Sequence, residues 1–426
     1  MEQKKQIVIL GAGFGGLRAA MLLGKYIRRS GMENSCQVVV VDRNAYHTYT
    51  PTLYEVATTS KETADYVNLK SIVTFPIEKI VKKLGGRFIQ AEIESLDLKD
   101  GDVHLKNSGV IKFDYLVLAL GAETNYFDIP GLKENSAPLK WFTDALKIRD
   151  RVLELAQSGK EEIRIVIGGG GSTGVEFAGE LQGWLAEMEV EIEEQKHRQC
   201  KFKITIIEAG PSILLGFPAA IINRVQKRLK SLGAEIIANH PIEKVAQEKI
   251  LLNGKRELPY DLLVWAGGVK AASLMGTMPL KLEKRGRVEV AGEMECLPQS
   301  PDLKLYGKIY AIGDAVCFYD QGGRPIPGVA RAAMSQAKIV AHNIICDIQG
   351  RKDHWQYRPM EYPYIIPIGG KWAIAKLGPI VIWGFGGWAL KILVEINYLR
   401  MILPFWKAIK AWLRGLWIFI QNDRLG

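Results

Sequence analysis

The sequence lacks paired cysteines. Its five cysteines are Cys36, Cys200, Cys296, Cys317 and Cys346, and no CxxC or CxxxxC spacing occurs among them. This absence excludes a redox-active disulfide built from neighbouring cysteines and the cysteine spacings of zinc and iron–sulfur sites. We therefore predict separate thiols in a reducing compartment and no bound metal.

Long uncharged apolar runs are also missing from the 426 residues. The longest run near the end, 377–390, has 14 residues, which is too short to cross a bilayer. The N-terminus passes from a short polar lead, Met1–Gln6, directly into an apolar segment, unlike a signal peptide. We expect neither a spanning helix nor a signal peptide.

The net charge of +10 is concentrated at the end of the chain. The last 56 residues contain eight basic and two acidic residues, together with six of the ten tryptophans. The residues between them are apolar, and no arm, finger or stacking platform of the kind that binds nucleic acid accompanies the charge. The composition therefore indicates an anionic membrane surface as partner and argues against nucleic acid.

A glycine-rich turn follows the first apolar strand. Gly11, Gly13 and Gly16 form a GxGxxG motif that opens a helical pattern, and the next strand ends at Asp42. In this arrangement the first glycine allows a tight turn, the second lets a pyrophosphate approach, and the third lets helix and strand pack closely. Asp42 would accept hydrogen bonds from an adenosine ribose; the alternative is a solvated acid at a strand end.

The same pattern recurs 158 residues later, at Gly169. Gly169, Gly171 and Gly174 again lie between a strand and a helix, and the following strand ends at Glu208. Two complete copies are far more specific than one, and they indicate a duplicated nucleotide-binding architecture. A carboxylate such as Glu208 would repel a 2′-phosphate, so this copy favours NADH over NADPH.

Across nearly its whole length the chain resembles the type II NADH:quinone oxidoreductases, the single-subunit NADH dehydrogenases that do not pump protons. The matching segments are VILGAGFGGL (8–17), VDRNAYHTYTPTLYEVA (41–57), LALGAETNYFDIPG (118–131), GGGSTGVEFAGEL (169–181), LLVWAGGV (262–269) and IYAIGDAV (309–316). The resemblance implies an α/β fold with two Rossmann-like dinucleotide-binding domains, as in glutathione-reductase-like flavoproteins. A C-terminal amphipathic membrane-binding region would follow.

The resemblance also implies a domain division. A discontinuous FAD-binding domain would comprise 1–145 and 285–356, an NADH-binding domain 146–284, and a membrane-anchoring region 357–426. The implied activity passes hydride from NADH to FAD and then two electrons to a membrane quinone. Alternatives are a reductase of a biosynthetic, demethylated naphthoquinone and a membrane-bound NADH or redox sensor.

The resemblance assigns residues to each site. FAD would be held by Gly11, Gly13, Gly16, Asp42, Gly121, Gly313 and Asp314, and NADH by Gly169, Gly171, Gly174, Glu208 and Gly267. Glu176, His47 and Gln336 would be catalytic. Glu176 would take part in hydride or proton movement; the alternative is a carboxylate stabilised by the positive start of its helix. His47 is either a proton carrier or a structural histidine.

The quinone site is where the chain departs from the family pattern. The corresponding segment offers Ala330, Arg331, Ala333 and Gln336 as candidates. Gln336 fills one of the two usual glutamine positions, but Arg331 and Ser335 differ from the pattern. Arg331 would bind an acidic or differently substituted acceptor, or else a cofactor phosphate.

The end of the chain has the pattern of an interfacial helix starting at Pro404. Basic residues recur at spacings of three and four on one face, with apolar residues on the other. The predicted anchor residues are Trp406, Lys407, Lys410, Trp412, Arg414 and Trp417. We expect a peripheral protein on the cytoplasmic face of the membrane. The alternative is a helix packed on the protein or on the partner of a homodimer.

Overall fold

The computed structural model describes residues 4–320, 322–323, 325–326 and 328–422. These form two compact units, described separately below. The first unit comprises Met1–His47, Phe75–Glu123 and Val269–Tyr362, and the second comprises Thr48–Thr74, Thr124–Gly268 and Pro363–Gly426. The start of the predicted polar lead, 1–3, and the last four residues of the predicted anchoring region lie outside the described residues.

Strands and helices alternate through most of the chain. The helices are α1 (Phe14–Arg29), α2 (Leu53–Thr58), α3 (Tyr66–Val73), α4 (Ile77–Lys83), α5 (Leu132–Asn135), α6 (Phe142–Gln157), α7 (Ser172–Lys196), α8 (Ala219–Ser231), α9 (Ala330–Ile348), α10 (Phe385–Ile402) and α11 (Phe405–Asn422). The strands are β1 (Lys5–Leu10), β2 (Cys36–Asp42), β3 (Tyr46–Thr48), β4 (Thr74–Pro76), β5 (Arg87–Gln90), β6 (Ile93–Asp97), β7 (Asp102–Leu105), β8 (Gly109–Lys112), β9 (Tyr115–Leu118), β10 (Ala122–Thr124), β11 (Ala137–Pro138), β12 (Glu162–Gly168), β13 (Lys201–Ile207), β14 (Glu235–Ile237), β15 (Ile242–Ala246), β16 (Lys249–Leu252), β17 (Arg256–Pro259), β18 (Leu262–Trp265), β19 (Val269–Ala271), β20 (Val288–Glu289), β21 (Lys308–Ala311), β22 (Val316–Cys317), β23 (Tyr364–Pro367), β24 (Ala373–Leu377) and β25 (Ile380–Gly384).

The first unit is built on a parallel five-stranded sheet in the order β21-β9-β1-β2-β5. Its central strands read as continuous apolar runs, and the side chains of 7–10 and 115–118 are buried. Such runs are typical of parallel sheets, whose two faces are both covered. Helix α1 follows β1 directly and packs against α9. The α/β fold predicted from the sequence is confirmed.

The second unit repeats this plan with a parallel sheet in the order β11-β18-β12-β13-β14. Its core combines β12 and β13 with the buried faces of α6 and α7. An antiparallel sheet of β15, β16 and β17 lies beyond β14 in the chain. The duplicated strand–loop–helix pattern of the sequence is therefore present in both units.

The end of the second unit consists of the antiparallel sheet β23-β24-β25 and helices α10 and α11. Leu403, the residue after α10, has an extended backbone conformation. Helix α11 begins directly after Pro404, as predicted. Proline suits this position because it cannot donate a backbone hydrogen bond and its φ is already helical. Among the described residues, none of the helices is long and apolar enough to cross a membrane.

Helix α10 approaches β24 closely at Gly387. A Cβ placed on Gly387 would lie 2.4 Å from the carbonyl oxygen of Ala373, a contact that no side chain can make. Gly415 of α11 is different, because a Cβ placed there would meet its nearest neighbours at 3.9 Å, an ordinary van der Waals distance. Only the first of these two helical glycines is required by packing.

We expect Gly387→Ala to lower the free energy of unfolding by about 1–3 kcal/mol, the usual cost of an overpacked contact. The matched variant Gly415→Ala should leave stability unchanged or raise it by about 0.5–1 kcal/mol, because alanine is the better helix former. Denaturant unfolding followed by far-ultraviolet circular dichroism compares the two. Equal stabilities would contradict the tight seating of α10 on β24.

Candidate functional site

The first glycine loop joins β1 to α1 and depends on two glycines for its shape. Gly11 has a φ of +100°, and a Cβ placed on Gly16 would lie 1.9 Å from the carbonyl oxygen of Gly11. Around Gly13, in contrast, a Cβ would meet no protein atom within 4 Å. The first and third glycines are therefore needed by the fold, whereas the second leaves open space in front of the helix.

The N-terminus of α1 has the features of an anion-binding site. Its N-cap is Gly13, which provides no side-chain hydrogen bond, and its first turn contains no acidic residue. Free N–H groups and the helix dipole at such a terminus attract phosphate. Asp42 lies beside the loop: its carboxylate accepts hydrogen bonds from the backbone N–H groups of Ala12, at 2.7 Å, and Asn44, at 2.8 Å. These residues fit the phosphates and ribose of a dinucleotide.

Helix α9 brings the predicted residue Gln336 to the Gly313 turn, where the predicted residue Asp314 also lies. Gln336 is only 1% exposed, and its Oε1 accepts a hydrogen bond of 2.7 Å from the backbone N–H of Gly313. A Cβ placed on Gly328 would lie 2.7 Å from Oδ1 of Asp314, so backbone approaches this carboxylate closely. Arg331 is exposed on the same helix, whereas Ala333 is buried.

His47 is a buried histidine held by the glycine loop. Its Nδ1 lies 2.9 Å from the carbonyl oxygen of Ala12, and its ring meets that of Phe14 edge-on with centroids 5.2 Å apart. Burial lowers the pKa of His47 to about 4, with the hydrogen bond to Ala12 acting in the opposite direction. His47 is therefore neutral at physiological pH and donates from Nδ1 to Ala12, which favours its structural interpretation.

The second glycine loop joins β12 to α7 and repeats the first. Gly169 has a φ of +108°, and a Cβ placed on it would lie 2.4 Å from the Cα of Gly267. A Cβ on Gly174 would lie 2.0 Å from the carbonyl oxygen of Gly169, while Gly171 again faces open space. Helix α7 starts without a side-chain cap or an acid in its first turn. The second loop thus offers the same kind of anion site.

Glu208 takes the position in the second loop that Asp42 takes in the first. Its two carboxylate oxygens accept hydrogen bonds of 2.7 Å from the backbone N–H groups of Gly170 and Gly210. The acid at the end of the second strand is therefore held against the glycine loop in both units. This position is consistent with the predicted ribose contact, which stays a prediction.

Glu176 lies one turn into α7, past the glycine loop. Burial raises the pKa of Glu176 to about 8, the charge of Lys391 lowers it, and the charge of Glu55 raises it further. This carboxyl therefore retains its proton at neutral pH. Such a shifted group near a nucleotide loop is a candidate proton donor.

The neighbours of Glu176 form an ionic cluster that the sequence analysis missed. Lys391 of α10 forms a salt bridge of 2.5 Å with Glu55, which is only 1% exposed, and lies 3.8 Å from Glu395. The ammonium of Lys391 also lies 5.5 Å from the ring centre of Tyr54. The available signals were a lone acid in the apolar segment LYEVA and an i,i+4 Lys–Glu pair inside an otherwise apolar helix.

Two glycine loops, each at a helix start on its own parallel sheet, define a protein with two dinucleotide-binding sites. The family model described as pyridine nucleotide-disulphide oxidoreductase matches residues 5–337, and the chain belongs to this family. It is 30% identical over 354 residues to the type II NADH:quinone oxidoreductase of Staphylococcus aureus, covering 80% of this chain and 82% of that protein. Within the family, the chain belongs with the type II NADH:quinone oxidoreductases.

Solved structures show the same fold. NDH2 from Plasmodium falciparum in complex with NADH aligns with a TM-score of 0.80 at 18% identity, covering 100% of this chain and 99% of that one. The sulfide:quinone oxidoreductase of Aquifex aeolicus aligns with a TM-score of 0.74 at 19% identity, covering 96% and 92%. At these identities the likeness concerns the fold alone.

The raised pKa of Glu176 predicts a pH-dependent stability. Between its ordinary value of 4.5 and about 8, the folded protein keeps a proton that the unfolded chain releases. The free energy of unfolding therefore falls as the pH rises through this range. Glu176→Gln cannot release this proton, so its stability should not fall for this reason. The melting temperature of the variant should therefore rise relative to that of the unmodified protein as the pH increases from 5 to 8. Thermal melts at several pH values measure the difference.

Glu191→Gln is the matched control, because Glu191 is an exposed glutamate on the same helix. Its melting profile should run parallel to that of the unmodified protein. A Glu176→Gln profile that also runs parallel would contradict the proton assignment.

Proposed function

We propose that the chain is an FAD-dependent NADH:quinone oxidoreductase that transfers hydride from NADH to FAD and two electrons onward to a membrane quinone, without pumping protons. The observation that carries the proposal is the duplicated glycine loop, with an uncapped helix start and a loop-bound acid in each unit. The family membership given above supplies the acceptor class. FAD, when bound, supplies the hydride acceptor and the donor of two electrons.

The first unit would hold FAD. The open space at Gly13 and the uncapped start of α1 suit its pyrophosphate, Asp42 suits the adenosine ribose, and Asp314 the ribityl region. Gly121 and Gly313, both at positive φ, let the backbone turn at the neighbouring strand ends. We keep the division into an FAD-binding domain (1–145 and 285–356), an NADH-binding domain (146–284) and an anchoring region (357–426) as part of this proposal.

The second unit would hold NADH on the loop Gly169–Gly174. The open space at Gly171 suits the pyrophosphate, and the carboxylate of Glu208 would accept hydrogen bonds from the ribose hydroxyls. A 2′-phosphate in the same place would meet a negative charge, so NADH is favoured over NADPH. Gly267 supports this loop from the end of β18, because its backbone lies against Gly169.

Glu176 and Gln336 are the residues that we assign to the quinone half of the reaction. Glu176 holds a proton at neutral pH, and quinol formation consumes protons. The amide of Gln336 orients the Gly313 turn through its Oε1. The alternative of a demethylated naphthoquinone acceptor depended on Arg331, which is exposed on α9, and the similarity to a type II NADH:quinone oxidoreductase does not favour it. The other sequence candidates, Ala330 and Ala333, have no polar side-chain atoms and would contribute to a quinone site only through their small size.

Membrane attachment would use helix α11. Its outer face exposes Trp406 (77%), Leu413 (52%) and Trp417 (69%). The basic residues Lys407, Lys410 and Arg414 are exposed as well. Exposed tryptophans beside cations suit a bilayer interface.

The arrangement of α11 differs from the two-faced pattern predicted. Basic and large apolar residues share the exposed face, because the opposite face, including Ala408, Ile418 and Phe419, is buried in the second unit. Trp412 also faces inward, and its indole N–H donates a hydrogen bond of 3.0 Å to the carbonyl oxygen of Ile392. We therefore leave Trp412 out of the anchor. We propose the cytoplasmic leaflet as the partner surface, because its anionic lipids attract basic segments.

The function is tested by anaerobic spectroscopy of the purified flavoprotein. NADH should bleach the visible flavin band, and a benzoquinone or naphthoquinone should then restore it. Glu208→Ala should lower the rate of bleaching by NADH relative to NADPH and leave the quinone step unchanged. Bleaching that no quinone reverses would exclude the proposed acceptor. A Glu208→Ala variant that prefers NADH over NADPH as strongly as the unmodified protein would exclude the ribose contact.

The anchor is tested by sedimentation with liposomes. Replacing both Trp406 and Trp417 by serine should abolish binding to vesicles containing anionic lipid, because both exposed indoles are lost. Replacing Lys407 and Lys410 by glutamine should weaken binding by about 1 kcal/mol per charge, about fivefold each. Leu215→Ser, at a leucine 66% exposed elsewhere in the second unit, is the control. Vesicle binding that survives the tryptophan changes would exclude the lipid assignment. If the unmodified protein is a dimer and the tryptophan variant is a monomer, the tryptophans belong to a dimer interface, which would exclude the lipid assignment as well.

A further inference from the structure

Helix α9 and the segment after it bring together three side chains that could act as ligands. His342 and Cys346 lie one turn apart on α9, and Asp353 follows the helix. The Cys346 Sγ lies 3.2 Å from the Nε2 of His342 and 3.7 Å from Oδ1 of Asp353, and Nε2 lies 3.9 Å from Oδ2 of Asp353. All three residues belong to the first unit.

We propose that His342, Cys346 and Asp353 form a binding site for a divalent transition-metal ion, with Zn²⁺ as the best match. Thiolate, imidazole and carboxylate are the ligands that zinc prefers, and three of them leave one position for water. Donors around a tetrahedral zinc ion, at about 2.0–2.3 Å from the metal, lie roughly 3.3–3.6 Å apart. The three measured separations lie close to that range, and metal binding would replace the hydrogen bond of 3.0 Å between Nε2 of His342 and the backbone carbonyl oxygen of Asp353.

The surroundings hold the donors in place. The ring of His342 stacks on Trp355 with centroids 3.8 Å apart and planes inclined by 13°. Arg351 binds both carboxylate oxygens of Asp353, with a hydrogen bond of 2.9 Å from Nε to Oδ1 and a second from Nη2 to Oδ2, and this orients the carboxylate. A carboxylate has about four lone-pair sites, so Asp353 can accept from Arg351 and still bind an ion. The charge of Arg351 lowers the affinity for a cation but leaves the donor set intact.

An ion has access to the cluster from solvent. The side chain of Asp353 is 58% exposed, while Cys346 is buried and His342 is 15% exposed. A surface cavity of about 260 Å³, lined in part by His342, Arg351 and Trp355, opens beside it. The ion would link the C-terminal turn of α9 to residue 353. The same helix carries Gln336, whose side chain accepts a hydrogen bond from the backbone of Gly313.

The spacings between cysteines predict no metal site, because they leave out the histidine and the aspartate. The relevant spacing is His-x₃-Cys, which places both donors on one face of a helix, with the third ligand seven residues beyond Cys346. The proposal replaces that prediction.

The test is a zinc titration of the reduced, FAD-loaded full chain, in competition with a chromophoric chelator. One zinc ion per chain should bind and raise the melting temperature. X-ray absorption of the zinc-loaded protein should show one sulfur donor among nitrogen and oxygen donors. Cys346→Ala and His342→Ala should weaken binding by more than about 100-fold, since the loss of an outer-shell partner alone costs roughly 10- to 100-fold.

Cys36→Ala is the matched control, because Cys36 is another buried cysteine of the same unit. It should bind zinc like the unmodified protein. Asp353→Asn changes an exposed residue and guards against misfolding of the buried variants; it should weaken binding too. A zinc spectrum without sulfur, or unchanged affinity in Cys346→Ala or Asp353→Asn, would overturn the proposal. None of these readouts depends on NADH or quinone.

Discussion

Both nucleotide sites depend on a contact that only glycine permits, between the third glycine of the loop and the carbonyl oxygen of the first. A Cβ would lie 1.9 Å from that oxygen at Gly16 and 2.0 Å at Gly174. The contact lets each helix start directly above the end of its strand, so that its first N–H groups face the open space of the second glycine. Any larger residue would have to displace the helix and with it the anion site.

The acids at the strand ends depend on the same geometry. Asp42 and Glu208 each accept a 2.7 Å hydrogen bond from the residue that follows the first glycine. The loop therefore positions the carboxylate, and the carboxylate in turn holds the loop closed. A solvated strand-end acid, the alternative left open by the sequence, would make no such bond. The same arrangement occurs in two units of different sequence, so in both the strand-end acid takes part in the hydrogen bonding of its glycine loop.

The sequence predicted what depends on local patterns. The strands before Gly11 and Gly169, the loops and the start of α11 all follow from short runs of residues, and the structure contains them. It could not predict the pairing of Glu55 with Lys391, because 336 residues separate them and neither has a local pattern that selects the other. The faces of α11 were missed for a related reason: periodicity gives the spacing of residues along a helix, but not which side the protein covers.

Burial, rather than the neighbouring Glu55–Lys391 pair, keeps Glu176 protonated at neutral pH. Lys391, which faces Glu55 and Glu395, lowers the pKa of Glu176, and the smaller effect of Glu55 raises it, so the shift to about 8 comes from burial of the carboxyl. Reduction of a quinone to a quinol takes two electrons and two protons, whereas a hydride carries two electrons and only one proton. The second proton has to come from the protein or from solvent. A carboxyl with a pKa of about 8 holds that proton at neutral pH and can regain it from solvent after each turnover. A carboxyl with its ordinary pKa of 4.5 would be ionised at neutral pH and would have no proton to donate.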